Sequence, residues 1–240
     1  MRAIKTEGLT KRYGEKKAVD GLDLAVEKGE IFSLLGTNGA GKTTTVKMLS
    51  TLIGKTAGKA EIFGLDTEKD RQKIRQLINI SPQETAIAQN LTVRENLEFM
   101  AGAYGIKNPA KKIEELTEKF GLSPVLRQKG KTLSGGWQRK LSIAIALINE
   151  PKLLFLDEPT LGLDVIARKE LWSVIEAMRG EVTVILTTHY MEEAEKLSDR
   201  VAVMSSGKLR AMGTPQEIIK QSGKDNFEDA FVSLATGGEF

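Results

Sequence analysis

The chain has 240 residues, 40% hydrophobic and 28% charged, with 35 basic against 32 acidic side chains and a net charge of +3. This suits one large globular domain and carries no overall polybasic signature for nucleic acid. The absence of cysteine and the single histidine exclude disulfides, thiolate metal sites and multi-histidine metal centres.

Residues 1–35 read as strands. Residues 18–26 partly alternate apolar and polar, as one half-buried antiparallel strand does. Tyr13 sits ahead of it in a polar turn, 23 positions before Gly36. Its ring can stack on a purine or pack on the sheet, and spacing alone leaves both open. The apolar run 31–35 then reads as a buried strand leading into Gly36-Thr37-Asn38-Gly39-Ala40-Gly41-Lys42-Thr43-Thr44. This is the pattern G-x-x-x-x-G-K-[ST] between a strand and a helix. Its glycines let backbone N–H groups approach phosphate oxygens. Lys42 can reach the β- and γ-phosphates, and the Thr43 hydroxyl is placed for Mg²⁺. Apolar spacing carries the following helix to Leu52 and Ile53.

Residues 59–63 read as a strand, 68–77 as a helix, and 77–83 as an apolar strand broken by Pro82. Gln83 at its end can ligate a metal, orient a water, or be a solvated loop residue. From 91 to 122 the pattern turns helical. Thr92 and Glu95 make a capping box, Leu97, Met100, Ala101 and Tyr104 a first stripe, and Ile113, Leu116 and Phe120 a second that Gly121 stops. These residues read as a helical lobe inserted in an α/β alternation. Ser134 is then a good N-cap, while Gly135 and Gly136 weaken a first helical turn unless an anion approaches there. A second phosphate site and a plain helix cap both fit.

The run 153–156 is fully apolar and ends in Asp157-Glu158. Ligands of parallel sheets sit at strand C-termini. Asp157 is placed to hold Mg²⁺ and Glu158 to act as general base on an attacking water. A turn at 161–164 leads into a helix ending near Met178. The buried strand 182–188 follows and ends in His189, which can hydrogen-bond a transferring phosphoryl group. A hairpin over 201–212, a short helix after Thr214-Pro215 and a packing helix through Phe227, Phe231 and Leu234 complete the reading, with the last four residues expected to be loose. No run of about 18 apolar residues is present to span a membrane, and residues 1–7 lack the apolar segment of a signal peptide.

Together these motifs resemble the nucleotide-binding subunit of ATP-binding cassette (ABC) transporters, from Tyr13 to Phe231. The most specific is Leu133-Ser134-Gly135-Gly136, which looks like the ABC signature, 22 residues ahead of Asp157. The resemblance implies an α/β fold: a P-loop NTPase core with a mostly parallel sheet, an N-terminal antiparallel β subdomain and an inserted α-helical subdomain. The implied layout is a single domain over 1–240, with a core of 1–90 and 151–222, a helical subdomain of 91–150 and a C-terminal helical tail of 223–240. It maps the adenine-stacking aromatic onto Tyr13, the Q-loop glutamine onto Gln83, the catalytic glutamate onto Glu158, the D-loop aspartate onto Asp164 and the switch histidine onto His189. It implies ATP and Mg²⁺ as cofactors, with Thr43, Gln83 and Asp157 toward the metal, and Ser134, Gly135 and Gly136 contacting the nucleotide of a partner subunit. Trp137 departs from the glutamine usual at that position, and activity is expected to survive it.

Residues 187–194 and the ending 227–231 look like the drug-, sodium- and polysaccharide-exporter branch. The resemblance therefore implies an ATP-hydrolysing subunit of an exporter. It would pair on ATP with a second nucleotide-binding subunit, as a homodimer or a heterodimer, act on separate membrane-spanning permease subunits, lie peripherally on the cytoplasmic face and use no nucleic acid. A soluble ABC ATPase acting on nucleic acid or ribosomes is the alternative; such proteins usually carry two cassettes, coiled-coil insertions or added basic domains. A non-hydrolysing regulatory cassette would lack Glu158 or His189, and both are present.

Overall fold

The computed structural model describes residues 1–236, so the expectation for the last four residues lies outside it. The chain opens with strand β1 (Arg2–Tyr13), which turns at Gly14 into β2 (Lys16–Leu22) and then β3 (Ala25–Glu27). The single strand expected over 18–26 is thus two. Gly21 adopts a left-handed φ of 67°, and the Thr6 hydroxyl fills the break, donating to Leu22 O at 2.7 Å and accepting from Leu24 N at 2.8 Å. Tyr13 ends β1 paired with Lys16, so it belongs to a strand end rather than to a turn.

Strand β4 (Ile31–Gly36) is buried throughout and runs through the glycine loop into helix α1 (Lys42–Leu49). The apolar spacing continues to Ile53, but the helix stops four residues earlier. The Ser50 hydroxyl turns back onto Lys47 O at 3.3 Å, which competes with the helical ladder, and Thr51 is left-handed at φ 62°. Strands β5 (Ala57–Ile62) and β6 (Leu65–Asp66) complete an antiparallel sheet of order β2-β1-β5-β6, with β3 also on β1. Helix α2 (Arg71–Leu77) starts later than its pattern at 68, because the Asp66 carboxylate holds the amides of Glu68 and Lys69 in a turn at 2.9 and 3.0 Å. Strand β7 (Ile78–Ser81) ends before Pro82.

Helix α3 (Val93–Ala103) carries the capping box between Thr92 and Glu95. Helix α4 (Pro109–Lys119) ends ahead of Gly121 at φ 61°, and α5 (Gly135–Ala146) follows. Their apolar faces, through Leu97, Ile113, Leu116 and Leu141, join one buried cluster with Leu154 and Trp172. Strand β8 (Leu153–Asp157), helix α6 (Val165–Glu176), strand β9 (Thr183–Thr188), helix α7 (Met191–Leu197) and the hairpin β10 (Arg200–Ser205) and β11 (Lys208–Gly213) come next. Helices α8 (Pro215–Ser222) and α9 (Phe227–Thr236) close the chain, with Phe227 and Phe231 packed against Val201 and Val203.

The second sheet has the order β11-β10-β4-β9-β8-β7. Every neighbour pair from β10 to β7 is parallel, and only β11 runs against its neighbour. Strand β9 therefore lies between β4 and β8. The C-terminal ends of these three strands carry the glycine loop, His189 and Asp157-Glu158, so the strand order gathers residues more than 100 positions apart at one sheet edge.

Candidate functional site

The glycine loop is closed by packing that only glycine permits. Gly41 takes φ 102°, and a Cβ there would meet Ala18 O at 2.5 Å; at Gly36 a Cβ would meet Met204 O at 2.5 Å. Gly41 also starts α1 without a side-chain cap, which leaves the first helical N–H groups for an anion. Gly36 and Thr37 form the base of the loop, their carbonyls accepting from Lys42 Nζ at 2.7 and 3.4 Å. Asn38, Gly39, Ala40, Gly41, Lys42, Thr43 and Thr44 line a cavity of about 470 Å³, which Tyr13, Gln83, Glu158 and His189 also line.

At the cavity's acidic side, Glu158 is 7% exposed and takes a left-handed φ of 49°. Such a backbone costs on the order of 1–3 kcal/mol and is held by its surroundings. Here Glu158 N donates to both Thr187 O and Thr187 Oγ1 at 3.1 Å. One carboxylate oxygen lies 2.6 Å from His189 Nδ1, and the other 3.4 Å from Lys42 Nζ. Asp157 sits behind it, 7% exposed, with Oδ1 accepting from the Thr43 hydroxyl at 3.4 Å and from the Thr187 hydroxyl.

Among the described residues no three His, Cys, Asp or Glu side chains gather as a metal site. A phosphate-loop Mg²⁺ needs fewer protein ligands, because waters and phosphates complete its octahedron. Thr43 and Asp157 present an oxygen pair, and Gln83 lines the same cavity, so the donor set fits a hard cation. Tyr13 is 52% exposed at the cavity's rim, with Lys11 Nζ 5.2 Å from its ring centroid. The ring is therefore not a core side chain.

The signature residues lie elsewhere. Ser134 and Gly136 line a separate cavity of about 300 Å³ with Trp137, Lys140, Asp164 and Glu170, and Gly135 is the first residue of α5. Ser134 occupies the N-cap position, yet its hydroxyl makes no capping bond, so of the two readings the sequence left open the plain side-chain cap is not formed. A Cβ on Gly136 would lie 3.0 Å from Ala167 Cβ, so close packing of α5 on α6 also calls for a glycine there. Trp137 packs on the core beneath Lys140, whose Nζ is 4.7 Å from a Trp137 ring centroid. Asp164 caps α6, accepting from Ile166 N and Ala167 N at 2.9 and 3.0 Å.

Sequence reasoning missed three supports of this site. Thr187 braces both acids from β9. Arg139 on α5 is buried behind them, and burial lowers its pKa to about 10. Glu193 on α7 is buried against Thr160 and Trp172, which donate to its Oε1 at 2.7 and 3.0 Å, and burial raises its pKa above the usual carboxylate range. None of the three stood out in the sequence: Arg139, for one, sits in the polar run Gln138-Arg139-Lys140 ahead of the apolar part of α5.

A family model described as "ABC transporter" matches residues 19–161. The chain is 43% identical to the daunorubicin resistance ATP-binding protein DrrA3 of Streptomyces coeruleorubidus, over 94% of this chain and 72% of that protein. It is 41% identical to the probable multidrug ABC transporter ATP-binding protein YbhF of Escherichia coli K12, over 96% of this chain, and spans 41% of that protein's length. Among solved structures, an ATP binding subunit of an ABC transporter superposes with a TM-score of 0.85 at 28% identity, covering 97% of this chain and 99% of that one. The dimeric post-hydrolysis structure of the cassette MJ0796 bound to ADP and Pi has a TM-score of 0.78 at 25% identity, covering 88% of this chain and 98% of that one.

Proposed function

We infer function from one premise: the chain belongs to the ABC transporter family, has the ABC ATPase fold and is an ATP-hydrolysing subunit of the drug-exporter branch. The observation that carries our assignment of roles is that Lys42 and His189 meet the two oxygens of one carboxylate, Glu158, beside a glycine loop. In this reading Lys42 and the loop N–H groups bind the β- and γ-phosphates, and Tyr13 stacks on the base, a contact worth about 1–3 kcal/mol. Glu158 takes a proton from the attacking water as its oxygen bonds to the γ-phosphorus and the bond to the β–γ bridging oxygen breaks, giving ADP and phosphate. His189 holds the Glu158 carboxylate in place and faces the same cavity. Thr43, Asp157 and Gln83 would hold Mg²⁺, which when bound neutralises charge on the β- and γ-oxygens.

Ser134, Gly135 and Gly136 serve the nucleotide of a second subunit in this proposal. Two observations support it: Ser134 and Gly136 line a cavity apart from the glycine loop, and the Ser134 hydroxyl is not spent on a helix cap. Two copies related by a two-fold axis would complete both sites. The subunit would act on separate membrane-spanning subunits at the cytoplasmic face. The names of its relatives, one a daunorubicin resistance ATP-binding protein and one a multidrug ABC transporter ATP-binding protein, support action on a transporter, and among the described residues no helix is long and apolar enough to cross a membrane. The soluble ATPase alternative has no comparable support.

The test is affinity capture with tagged Glu158→Gln protein, ATP and Mg²⁺ on detergent-solubilised membranes of the source organism. Retention of a multi-span membrane protein is the expected result. Retention of ribosomes or nucleic acid with no membrane protein would overturn the transporter assignment.

A further inference from the structure

Arg139 lies on α5, five residues after Ser134, and is 4% exposed. Its guanidinium hydrogen-bonds only backbone carbonyls among the described residues. Nε donates to Pro159 O at 2.6 Å, Nη1 to Pro82 O at 2.5 Å and Gln83 O at 3.3 Å, and Nη2 to Asp157 O at 2.8 Å and Glu158 O at 2.7 Å. These carbonyls belong to the last residue of β8, Asp157, and to the two loops that follow the neighbouring strands β7 and β8. One loop carries Gln83 and the other opens with Glu158.

Burying a charge is costly unless its hydrogen-bonding capacity is met. A packing role needs no charge at all, since an apolar side chain of this length would fill the space. The planar five-donor fork of arginine is the one side chain that can tie two chain segments at once in a fixed plane. Helix α5 is the rigid link: Ser134 holds its N-cap position, and Arg139 follows about 7.5 Å along its axis.

We propose that Arg139 is a positioning residue through which the signature helix sets the geometry of Glu158 and Gln83 in its own chain. A movement of α5 produced at Ser134–Gly136 is carried by the guanidinium to both loops together. A nucleotide held by one subunit thereby adjusts the hydrolytic residues of the other. The inference rests on the roles given above to Glu158 and to Ser134–Gly136.

The test compares Arg139→Lys, which keeps the charge and loses the fork, with the unsubstituted chain. Turnover should fall about 10- to 100-fold, the range for a small displacement of reacting groups. Affinity for a fluorescent ATP analogue should stay within about threefold, the pattern of a group that matters to the transition state rather than to binding. In a double-mutant cycle with Ser134→Ala, the combined loss should be smaller than the product of the single losses, because the two changes cut one path. Unchanged turnover, a parallel loss of affinity and turnover, or multiplicative losses would each overturn the proposal. Arg139→Gln is measured in parallel, and if neither variant folds cooperatively Arg139 is a structural residue and the proposal falls. Glu158→Gln, measured beside them, keeps the two assignments distinct: normal turnover there sinks the general base whatever Arg139→Lys does.

Discussion

Glu158 Oε2 lies 2.6 Å from His189 Nδ1. A carboxylate at that distance accepts, so Nδ1 carries the proton, and in a neutral ring Nε2 is left as an acceptor. The pair joins the ends of β8 and β9, and Lys42 approaches the second carboxylate oxygen from the glycine loop. With Glu158→Gln, the proposed general base is gone while the groups proposed to hold the phosphates remain. Hydrolysis should drop by about 10²- to 10⁴-fold with ATP still bound. Light scattering after size exclusion should then find a dimer with ATP and a monomer without it.

His189→Ala removes the donor that holds Oε2. Turnover is expected to fall about 10²-fold, and ATP affinity much less. His189→Asn restores an N–H donor near the Nδ1 position and should recover part of the loss. Equal turnover in both variants would show that the bond to Glu158 is not what matters.

Lys42→Ala deletes the ammonium that touches both the base of the glycine loop and Glu158. Binding of ATP, read by equilibrium titration, should weaken, and turnover should fall by about 10²-fold or more. Unchanged hydrolysis would refute the site.

Two glycines of the loop separate strain from steric closure. Gly39 has φ 81° with open space where a Cβ would go, while Gly41 has φ 102° with Ala18 O at 2.5 Å from that point. Gly39→Ala should cost about 1–3 kcal/mol from backbone strain alone. Gly41→Ala should cost more and also displace the loop from β2. Thermal melts rank the two, and ATP titration should show the larger loss for Gly41→Ala.

Burial raises the pKa of Glu193, with the nearby Glu158 adding in the same direction, and Arg139 is close enough to feel the charge of Glu193. A carboxyl with a raised folded pKa gives stability that is whole below its ordinary value and is lost as pH climbs through the folded value. The melting temperature of the native chain should therefore decline over that window, and Glu193→Gln, which has no proton to lose, should flatten the decline. Glu193→Ala should instead cost about 1–3 kcal/mol at all pH values, because it leaves the Trp172 and Thr160 donors buried without a partner. Equal slopes of melting temperature against pH in the native chain and Glu193→Gln would contradict this.

Much of this site is local chemistry, which is why it was legible in the residues. The glycine loop is nine consecutive positions whose backbone demands and following lysine belong to one segment. Asp157-Glu158 and His189 were recognisable because each ends an apolar run long enough to be a buried strand. The helices α3, α4 and α8 announced themselves through capping residues and period. The helix ends of α1 and α2 differed where the Ser50 hydroxyl and the Asp66 carboxylate turn onto nearby backbone, and the strand expected at 18–26 is broken by the distant Thr6.

By itself the sequence determined that a phosphate loop, two strand-end acids and a strand-end histidine exist in one α/β chain. Only the tertiary structure decided that Glu158 is shared between Lys42 and His189, that Thr187 holds both acids, and that Arg139 binds the two loops from behind. The physical reason is strand order. Inserting β9 between β4 and β8 sets residues from opposite parts of the chain within hydrogen-bond reach, and periodicity reports which face a residue occupies but never which strand lies beside it.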